Sequence, residues 1–423
     1  MSATAREKFE AAARPALLVR RSDLPVPPAH RARSFFGGLP KLPPELDWPR
    51  AEVKTHNSQE TVALNFLAQI DLAELSRAEM NSPLPQTGTL YFFCSSVFED
   101  GSPPCRILYH AGSADLFPGR EPPPDLMLLG GDGLRVKWLD PATDLHCRVE
   151  FKYPICFVPY RDFEFYEDEV GGELLIESLC SALGPGEPKE SDLLQYRMAD
   201  GYAADEDWPF NWLLVTHMVR SLLARTAHDL QPSPYRPPVS DETRTTLQGF
   251  EAKANRWLER SGGFAPPERL DAAAKDAFRA WWTDVVMKYE KVTTYPTQLT
   301  GDVGAAINHN IRYLAAYHQQ ALADVPEKYV ANLERQNHWK TPAAKDGKYR
   351  FFNMAIPQIL GYGSSPQGAA EEHREDVLLL QLQGDAAFLE WHTNPGCMLH
   401  FWLSRDALAT LDFSKAVATL ECS

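Results

Sequence analysis

Two glutamines are the side chains best suited to recognising a ligand, because each lies among apolar neighbours in a strand-like segment. Gln69 lies in FLAQIDL and Gln381 lies in VLLLQLQ. An amide both donates and accepts hydrogen bonds, so the two could bind a small ligand or a peptide backbone in a shared cleft. Together with Tyr362 of the GYGSS loop they form the predicted ligand-binding set. The simpler interpretation is that each amide satisfies a backbone group at a sheet edge or in a nearby loop.

A second group of residues has the chemistry of a metal site. HTNPGCMLH at 392–400 contains a tight turn. That turn could bring together His392, Cys397 and His400, a donor set that suits zinc or copper. The favoured interpretation is structural: His400 pairs across a sheet, Cys397 is a small buried side chain and His392 is exposed. We therefore predict neither a metal nor a cofactor.

The histidines of the central region do not predict a metal site either. His217 and His228 share one helical face, but a separation of eleven residues at 1.5 Å per residue places them about 16 Å apart. His309 and His318 are nine residues apart and therefore lie on nearly opposite faces of a helix. HExxH and paired CxxC motifs are absent from the sequence.

No sequence motif predicts catalysis. The GPGEPK segment at 184–189 has neither the glycine spacing nor the hydroxyl residue of a phosphate-binding loop. The GYGSSPQG segment at 361–368 lacks the glycine that follows the serine in a nucleophile elbow. The acidic residues from Asp162 to Glu169 could bind a cation or act as acid and base, but a solvated strand edge is the simpler interpretation. No catalytic residue is assigned.

Strand-like segments predict a β-rich region at each end of the chain. FLAQIDL at 66–72 and TLYFFCSSV at 89–97 alternate with period two, and an Asp-Gly turn then leads to CRILYH at 105–110. The same pattern returns in DVLLLQL at 376–382 and MLHFWLS at 398–404. Both regions therefore predict half-buried antiparallel strands.

The rest of the first region is less regular. Residues 22–50 are rich in proline and predict extended chain without a helix. Strand-like runs at 134–140 and 147–160 extend the β character to about residue 180. Pro154 predicts that the second of these runs is an edge strand or carries a bulge.

Between the two β-rich regions, residues 190–340 change to helical periodicity. Asp207, Trp208 and Pro209 resemble a helix start. Apolar residues then recur at spacings of three and four, which predicts helices that pack through one face each. The apolar stripes run over residues 213–223, 247–258, 270–285 and 307–322.

The likeness between the two ends predicts an internal duplication. Gln381 occupies the place in its strand that Gln69 occupies in the first, and a strand of matching apolar pattern follows each. The predicted fold is α+β, with two similar β-rich units of mostly antiparallel sheet in one composite domain and an inserted helical block. The predicted divisions are 1–185, 190–340 and 345–423.

The composition is that of a folded, acidic protein. The chain has 423 residues, of which 44% are hydrophobic and 23% charged, enough for more than one core. Its formal charge of −15 repels nucleic-acid phosphates and anionic lipids, so we expect neither nucleic acid nor a membrane as a partner. A basic protein partner fits this charge better.

The cysteines and the apolar runs predict a cytoplasmic protein. Seven cysteines without a CxxC pair indicate reduced, mostly buried thiols. Cys94 and Cys105 flank a predicted hairpin and could face each other, but we expect no disulfide there. Pro15 and the surrounding charges make the N-terminus a poor signal peptide, and every apolar run is shorter than a membrane span of about 18 residues.

Several segments near the two ends form a recognisable combination. They are SFFGGLPKLPPELDWP at 34–49, FLAQIDL at 66–72, LPQTGTLYFF at 84–93, ILGYGSSPQG at 359–368, and VLLLQL, LHFW and LDFS within 377–414. This combination resembles the YwqG-like family of bacterial proteins. The resemblance covers about the first 160 residues and the last 75, and it implies a cytoplasmic protein of mixed α and β structure without an established activity. It provides no catalytic residue, and Gly363 departs from the family pattern because it stands where the family has a proline.

The sequence supports two functional hypotheses. The first is a non-catalytic binding or regulatory protein, such as an immunity protein, that neutralises a basic partner. The alternative is a small-molecule-binding protein, or an enzyme of unfamiliar type, with its site in the groove between the two β-rich halves. Gln69, Tyr362 and Gln381 are the residues expected to line that groove.

Overall fold

The structure is a computed structural model, in which the chain forms two compact units. The β unit comprises Met1–Gly131, Arg148–Leu194 and Arg335–Ser423, and the helical unit comprises Asp132–Cys147 and Gln195–Glu334. The structure describes all residues except 1–3, 56–57, 80, 96–101, 130–138, 141, 143, 165–168, 184–206, 233–237, 294–296, 336–343, 346–347, 350–356, 366, 384–396 and 423.

A sheet of ten strands forms the centre of the β unit, in the order β14-β13-β12-β11-β1-β8-β2-β5-β6-β7. Every neighbouring pair is antiparallel. Strands β3 and β4 form a separate hairpin, as do β9 and β10. The strands are β1 (Arg14–Arg21), β2 (Phe35–Phe36), β3 (Arg50–Thr55), β4 (Ser58–Ala63), β5 (Asn65–Asp71), β6 (Thr89–Cys94), β7 (Cys105–His110), β8 (Tyr153–Asp162), β9 (Ala344–Lys345), β10 (Lys348–Tyr349), β11 (Gln358–Leu360), β12 (Val377–Gln383), β13 (Cys397–Leu403) and β14 (Val417–Cys422).

Helices α4 to α9 lie in the central region of the chain, and the others accompany the sheet. In the β unit, α3 packs against β8, and α1 packs against α3. The helices are α1 (Ala5–Ala12), α2 (Leu72–Ala78), α3 (Glu169–Leu183), α4 (Trp212–Leu230), α5 (Asp241–Ser261), α6 (Ala272–Val292), α7 (Thr297–Tyr317), α8 (Gln319–Leu322), α9 (Glu327–Arg335), α10 (Ala369–Glu372) and α11 (Arg405–Ala409). Within the described ranges, each helix falls short of the length and apolar character needed to cross a membrane.

The strand order of the sheet is symmetric about its centre. Strands β11, β12, β13 and β14 occupy the places on one side that β2, β5, β6 and β7 occupy on the other, while β1 and β8 lie between them. The register shifts at the same point in each half, between Phe66 and Ala68 in β5 and between Leu378 and Leu380 in β12. The residues at equivalent register positions are Phe35 and Gln358, Gln69 and Gln381, Tyr91 and His400, and Phe92 and Phe401.

Gln69 and Gln381, the two glutamines of the predicted ligand-binding set, form hydrogen bonds with the loops that follow β2 and β11. The Gln69 Oε1 accepts a hydrogen bond from the backbone N–H of Lys41 at 2.9 Å. The Gln381 Oε1 accepts one from the backbone N–H of Ser364 at 2.8 Å. Lys41 lies six residues after Phe35, and Ser364 lies six residues after Gln358. The two glutamines therefore have equivalent settings, as the duplication predicts.

The carbonyls of the same two loop residues are satisfied from the neighbouring strand. The Tyr91 hydroxyl donates to the Lys41 carbonyl at 2.9 Å. The His400 Nε2–H donates to the Ser364 carbonyl at 2.9 Å. A phenol and an imidazole thus perform the same task in the two halves, which explains why the sequence likeness is weaker than the structural one.

Both loops also share a left-handed position that requires glycine. Gly38 has a φ of 68° and the equivalent Gly361 has a φ of 79°. A Cβ at Gly38 would lie 2.9 Å from the Cβ of Lys152, and one at Gly361 would lie 2.3 Å from the Oδ2 of Asp162. Both the backbone conformation and the neighbouring side chain therefore exclude a larger residue at these positions.

The two halves meet through equivalent side chains. Phe92 and Phe401 are fully buried and contact each other edge to face, with ring centroids 5.3 Å apart. At the two outer strands, the Cys105 thiol lies 3.7 Å from the carbonyl of Ala416. The sheet therefore curls so that its two ends approach each other, and apolar side chains fill the space between them.

The helical unit forms as the apolar stripes predict. Helix α4 packs against α5 and α7, and the faces predicted to be apolar are buried. Helix α4 begins at Trp212, later than the start predicted at Asp207 to Pro209. The Asn211 side chain caps it by accepting from the N–H of Leu214 at 2.8 Å. Asn211 also exchanges two hydrogen bonds of 3.0 Å with the Asn310 side chain of α7.

The α+β class and the two similar β-rich halves are confirmed, while several details differ. The prediction that Pro154 marks an edge is wrong, because β8 lies at the centre of the sheet. Pro154 is the second residue of β8, and only two residues of β2 pair there. The run predicted at 134–140 lies largely outside the described residues, and its part of the chain belongs to the helical unit.

The two loop contacts generate a stability prediction. Gln381→Leu keeps the apolar bulk but removes the acceptor for the Ser364 N–H, and Gln69→Leu does the same for the Lys41 N–H. We expect each variant to lose about 1 to 3 kcal/mol of unfolding free energy, measured by urea denaturation. Gln86→Leu, at an exposed position of the same unit, is the matched control. A loss no larger than that of the control would contradict the assigned role.

Candidate ligand-binding site

The structure places the three predicted ligand-binding residues in the interior of the β unit. Gln69, Gln381 and Tyr362 expose 1%, 0% and 7% of their surfaces. The Nε2 of Gln69 donates to the Arg33 carbonyl at 2.9 Å, and the Nε2 of Gln381 donates to the Ser364 Oγ at 3.1 Å. Both amides therefore hold backbone loops, which is the simpler of the two interpretations. Ligand binding by these residues stays a prediction.

Tyr362 connects its loop to the N-terminal segment. Its hydroxyl donates to the Ala12 carbonyl at 2.6 Å, and the Arg14 guanidinium lies 4.1 Å from its ring centroid. The Tyr362 N–H donates to the Oδ2 of Asp162 at 2.7 Å. Asp162 is buried, which raises the pKa of its carboxyl, and it also accepts from Gln358 at 3.0 Å. This first residue of the acidic run is thus an internal anchor, while residues 165–168 lie outside the described residues.

The candidate metal ligands also have structural partners. His400 lies opposite Gln381 in the ladder, and burial lowers its pKa to about 4. Cys397 is disulfide-bonded, so the expectation of a reduced thiol is wrong at this position. Its register partner in β14 is Cys422. His392 lies outside the described residues.

The other cysteine pair behaves as expected. Cys94 and Cys105 lie directly opposite each other in β6 and β7, and both side chains are unbridged thiols. Burial raises the pKa of the Cys94 thiol well above its ordinary value and that of Cys105 to about 12. Both thiols therefore stay protonated and unreactive at neutral pH.

A pocket in the helical unit has the features of a ligand site. Its volume is about 580 Å³, within the range usual for small-molecule sites. Three separate segments form it: the 3-10 turn Leu145–Cys147 with the residues before it, the region of α4 and α5, and the C-terminal end of α7. We call it the helical-unit pocket. It is lined by Asp140, Asp144, Leu145, His146, Trp212, Leu213, Thr216, Arg220, Leu258, Ser261, Gly262, Phe264, Pro266, Tyr313 and Tyr317.

Aromatic rings provide much of the lining. Trp212 and Phe264 are stacked, with centroids 4.3 Å apart and an angle of 5° between their planes. Tyr313 and Tyr317 lie 4.9 Å apart. Phe264 and Tyr317 are 38% and 39% exposed, which is high for large aromatic side chains. Partly exposed rings at the mouth of a pocket favour a ligand with a flat or apolar part.

The pocket also carries both signs of charge. Arg220 is partly buried, and none of the described residues forms an ion pair or a hydrogen bond with its side chain. The Oδ1 of Asp140 accepts from the Ala142 N–H at 3.0 Å, and the Oδ1 of Asp144 accepts from the His146 N–H at 2.9 Å. These turn contacts fix the two carboxylates in position.

A row of histidines leads from the pocket wall into the interior. The His146 Nε2 lies 2.8 Å from the Tyr317 hydroxyl, at hydrogen-bond distance. The His146 ring is 6.4 Å from that of His309, which is 5.2 Å from that of His217. Within the described ranges, no group of His, Cys, Asp or Glu has an arrangement that could hold a metal ion.

Burial keeps the inner two histidines neutral. It lowers the pKa of His217 to about 3, and the Arg220 charge lowers it further. It also lowers the pKa of His309 well below its ordinary value, with added effects from His217, His146 and Arg312. His217 and His309 are buried outside the pocket lining, and only His146 of this row lines the cavity itself.

The sequence does not predict this pocket. Spacing within one helix separates His217 from His228 and His309 from His318, and it carries no information about contacts between helices. The contact between His217 and His309 joins α4 to α7, and His146 comes from a non-helical segment. Histidines at inward-facing positions of two different helices were the available signal.

Comparison with known families gives one match. A model of a family described as a domain of unknown function (DUF1963) matches residues 34–171 and 267–422. The second matched region begins just before α6. It therefore includes part of the helical region, whereas the resemblance predicted from the sequence covers only the last 75 residues of the chain. The two regions include Asp140 to His146 and Tyr313 to Tyr317, whereas Arg220 lies between them. No curated protein matches the chain.

The buried histidines predict a pH dependence of stability. The folded pKa of His217, about 3, lies below the value of about 6.5 in an unfolded chain. Below pH 6.5 the unfolded state therefore binds a proton that the folded state does not, so stability falls as the pH falls towards 3. The slope from this residue is about 1.4 kcal/mol per pH unit.

His217→Gln removes this titration. We expect its urea unfolding free energy, measured from pH 7.5 to 4.5, to fall less steeply than that of the wild type by about that slope. Comparison at pH 7.5, where the wild-type His217 is neutral in both states, separates the cost of the substitution from the titration. Parallel curves for the two proteins would contradict the assigned burial of a neutral imidazole.

Proposed function

The chain belongs to the DUF1963 family, a family of unknown function, and from its helical-unit pocket we propose that it is a small-molecule-binding protein. The observation that carries this proposal is the combination, in one cavity of about 580 Å³, of aromatic walls, a cation without an ion pair among described residues, and anchored carboxylates. Cavities with a few convergent polar groups and buried titratable neighbours are the usual ligand sites of proteins.

The pocket is better suited to binding than to packing. Phe264 stacks on the buried Trp212 and is itself 38% exposed, so it offers a flat apolar surface to a ligand. Arg220 is a charge whose partial burial costs free energy unless a partner compensates it. A bound ligand would provide that partner and would remove the exposed rings from water.

We further propose that the chain is a YwqG-like member of the family that acts in the cytoplasm as a non-catalytic binding or regulatory protein. The segments around Gly37 to Pro40 and around FLAQIDL support the closer family assignment. Cys94 and Cys105 face each other as unbridged thiols, which supports a reducing compartment, whereas the disulfide at Cys397 counts against one.

The proposal is tested by ligand-induced stabilisation of the intact chain. A metabolite panel should contain at least one compound that raises the melting temperature, as RT ln(1 + [L]/Kd) requires. At a hundredfold excess over Kd the gain is about 2.7 kcal/mol. Gly262→Trp should abolish the shift, because Gly262 lines the pocket and its backbone accepts a side chain without strain.

A matched control is available on the same helix. Gly249 of α5 is exposed, and a Cβ there meets no neighbour within 4 Å. Gly249→Trp should therefore keep the ligand-induced shift of the wild type. A panel without a stabilising compound, or equal shifts in both variants, would refute binding in this pocket.

A basic protein is the second candidate partner, and the observation in its favour is the formal charge of −15. Such a partner would be attracted over the whole acidic surface, with an association that weakens as salt screens the charges. This candidate does not involve the helical-unit pocket.

The two candidates give different results in a pulldown. A basic partner should be retained by the immobilised wild type at low salt, be released at about 0.5 M salt, and be retained equally by Gly262→Trp. Retention that does not change with salt, or loss of the partner in Gly262→Trp, would contradict an electrostatic protein interaction.

A further inference from the structure

We infer that the helical-unit pocket binds a small zwitterion, a molecule with an ammonium group, a carboxylate group and a flat apolar body. This inference rests on the proposed function, because it names the class of ligand for the same pocket. Free amino acids with aromatic side chains are the simplest compounds of this class.

The carboxylate would bind at Arg220. This guanidinium lines the pocket, is partly buried, and forms neither an ion pair nor a hydrogen bond with any of the described residues. A guanidinium presents a planar set of donors that matches a carboxylate in a bidentate geometry. Arg220 and the partly exposed Phe264 line the same cavity, so one ligand can meet the guanidinium with its carboxylate and the ring with its body.

The ammonium would bind at the two aspartates. Asp140 and Asp144 each use one oxygen for a turn N–H, and none of the described residues donates to the second oxygen of either carboxylate. Asp144 lies close enough to Tyr313 for its charge to act on that hydroxyl. An ammonium at this place would also benefit from the neighbouring aromatic rings.

The opposite charges of the pocket are kept apart. Among the described residues, Arg220 forms no ion pair with Asp140 or Asp144, so its guanidinium nitrogens lie more than 4.0 Å from their carboxylate oxygens. A ligand with separated charges can therefore compensate both groups at once. A singly charged ligand would leave one of them uncompensated in a partly desolvated site, and a phosphate compound would bring further negative charge to Asp140 and Asp144.

The rings of the pocket select the body of the ligand. Trp212 and Phe264 form a stacked pair, and Tyr313 and Tyr317 form a second pair. The exposed members, Phe264 and Tyr317, can contact a ligand ring, which favours an aromatic ligand over an aliphatic one of equal size. The cavity of about 580 Å³ accommodates an amino acid with an indole or phenol side chain.

Three related probes test the inference by titration calorimetry of the full chain. L-tryptophan has both charges, tryptamine lacks the carboxylate, and indole-3-propionate lacks the ammonium. We expect L-tryptophan to bind at least tenfold more tightly than either of the other two. Gly262→Trp should remove all three interactions, and Gly249→Trp should keep them.

Two conservative variants test which residue binds the carboxylate of the ligand and which binds its ammonium group. Arg220→Gln should reduce the affinity for L-tryptophan to that for tryptamine and leave tryptamine unchanged. Asp144→Asn should weaken L-tryptophan and tryptamine but leave indole-3-propionate unchanged, and its Oδ1 can still accept from the His146 N–H. Melting temperatures within about 3 °C of the wild type would show that both variants are folded.

The outcomes separate this inference from the proposed function. Equal binding of the three probes, or unchanged L-tryptophan affinity in Arg220→Gln, overturns the inference that the ligand is a zwitterion. If none of the probes binds while a panel compound stabilises the wild type and not Gly262→Trp, the zwitterion is overturned and the proposed function stands. If neither the probes nor the panel gives a shift that Gly262→Trp removes, both are overturned.

Discussion

The β unit depends on one constraint, which is that buried backbone groups need hydrogen-bond partners. The loops after β2 and β11 leave the sheet and cover it, so the N–H and the carbonyl of Lys41 and of Ser364 cannot bind strand neighbours. In each half a glutamine from the next strand satisfies the N–H, and a ring from the strand beyond satisfies the carbonyl. This pair of contacts fixes where each loop lies against the strands of its half.

The two loops make equivalent hydrogen bonds, but different charged side chains lie beside them. The first loop lies beside Lys152, whose ammonium donates to the His30 carbonyl at 2.7 Å and lies 4.4 Å from the Phe35 ring. Burial lowers the pKa of this amine to about 8. The second loop lies beside the buried carboxyl of Asp162. The repeated scaffold thus places a basic and an acidic group at related positions, so the duplication is one of backbone geometry and not of chemistry.

The fold was more predictable than the site. Period-two segments identified β5, β6, β12 and β13, and helical stripes identified α4 to α7, because each signal lies within one element. The sequence pattern does not predict strands β1 and β14. The RPALLVRR segment of β1 lacks alternation because β1 is buried on both faces at the sheet centre. The helical-unit pocket combines Asp144, Arg220 and Tyr313 from three distant segments, so no local spacing could indicate it.

The pairing of β1 with β11 has a consequence for how the protein is made. Leu18 pairs with Gln358, and Leu18 also lies opposite Val158 on the other side. During synthesis, this edge of β1 has no strand partner until more than three hundred further residues have left the ribosome. Until then β1 presents an open apolar edge, a surface that other nascent chains could join. The duplicated halves therefore complete one another only after the whole helical region has been synthesised.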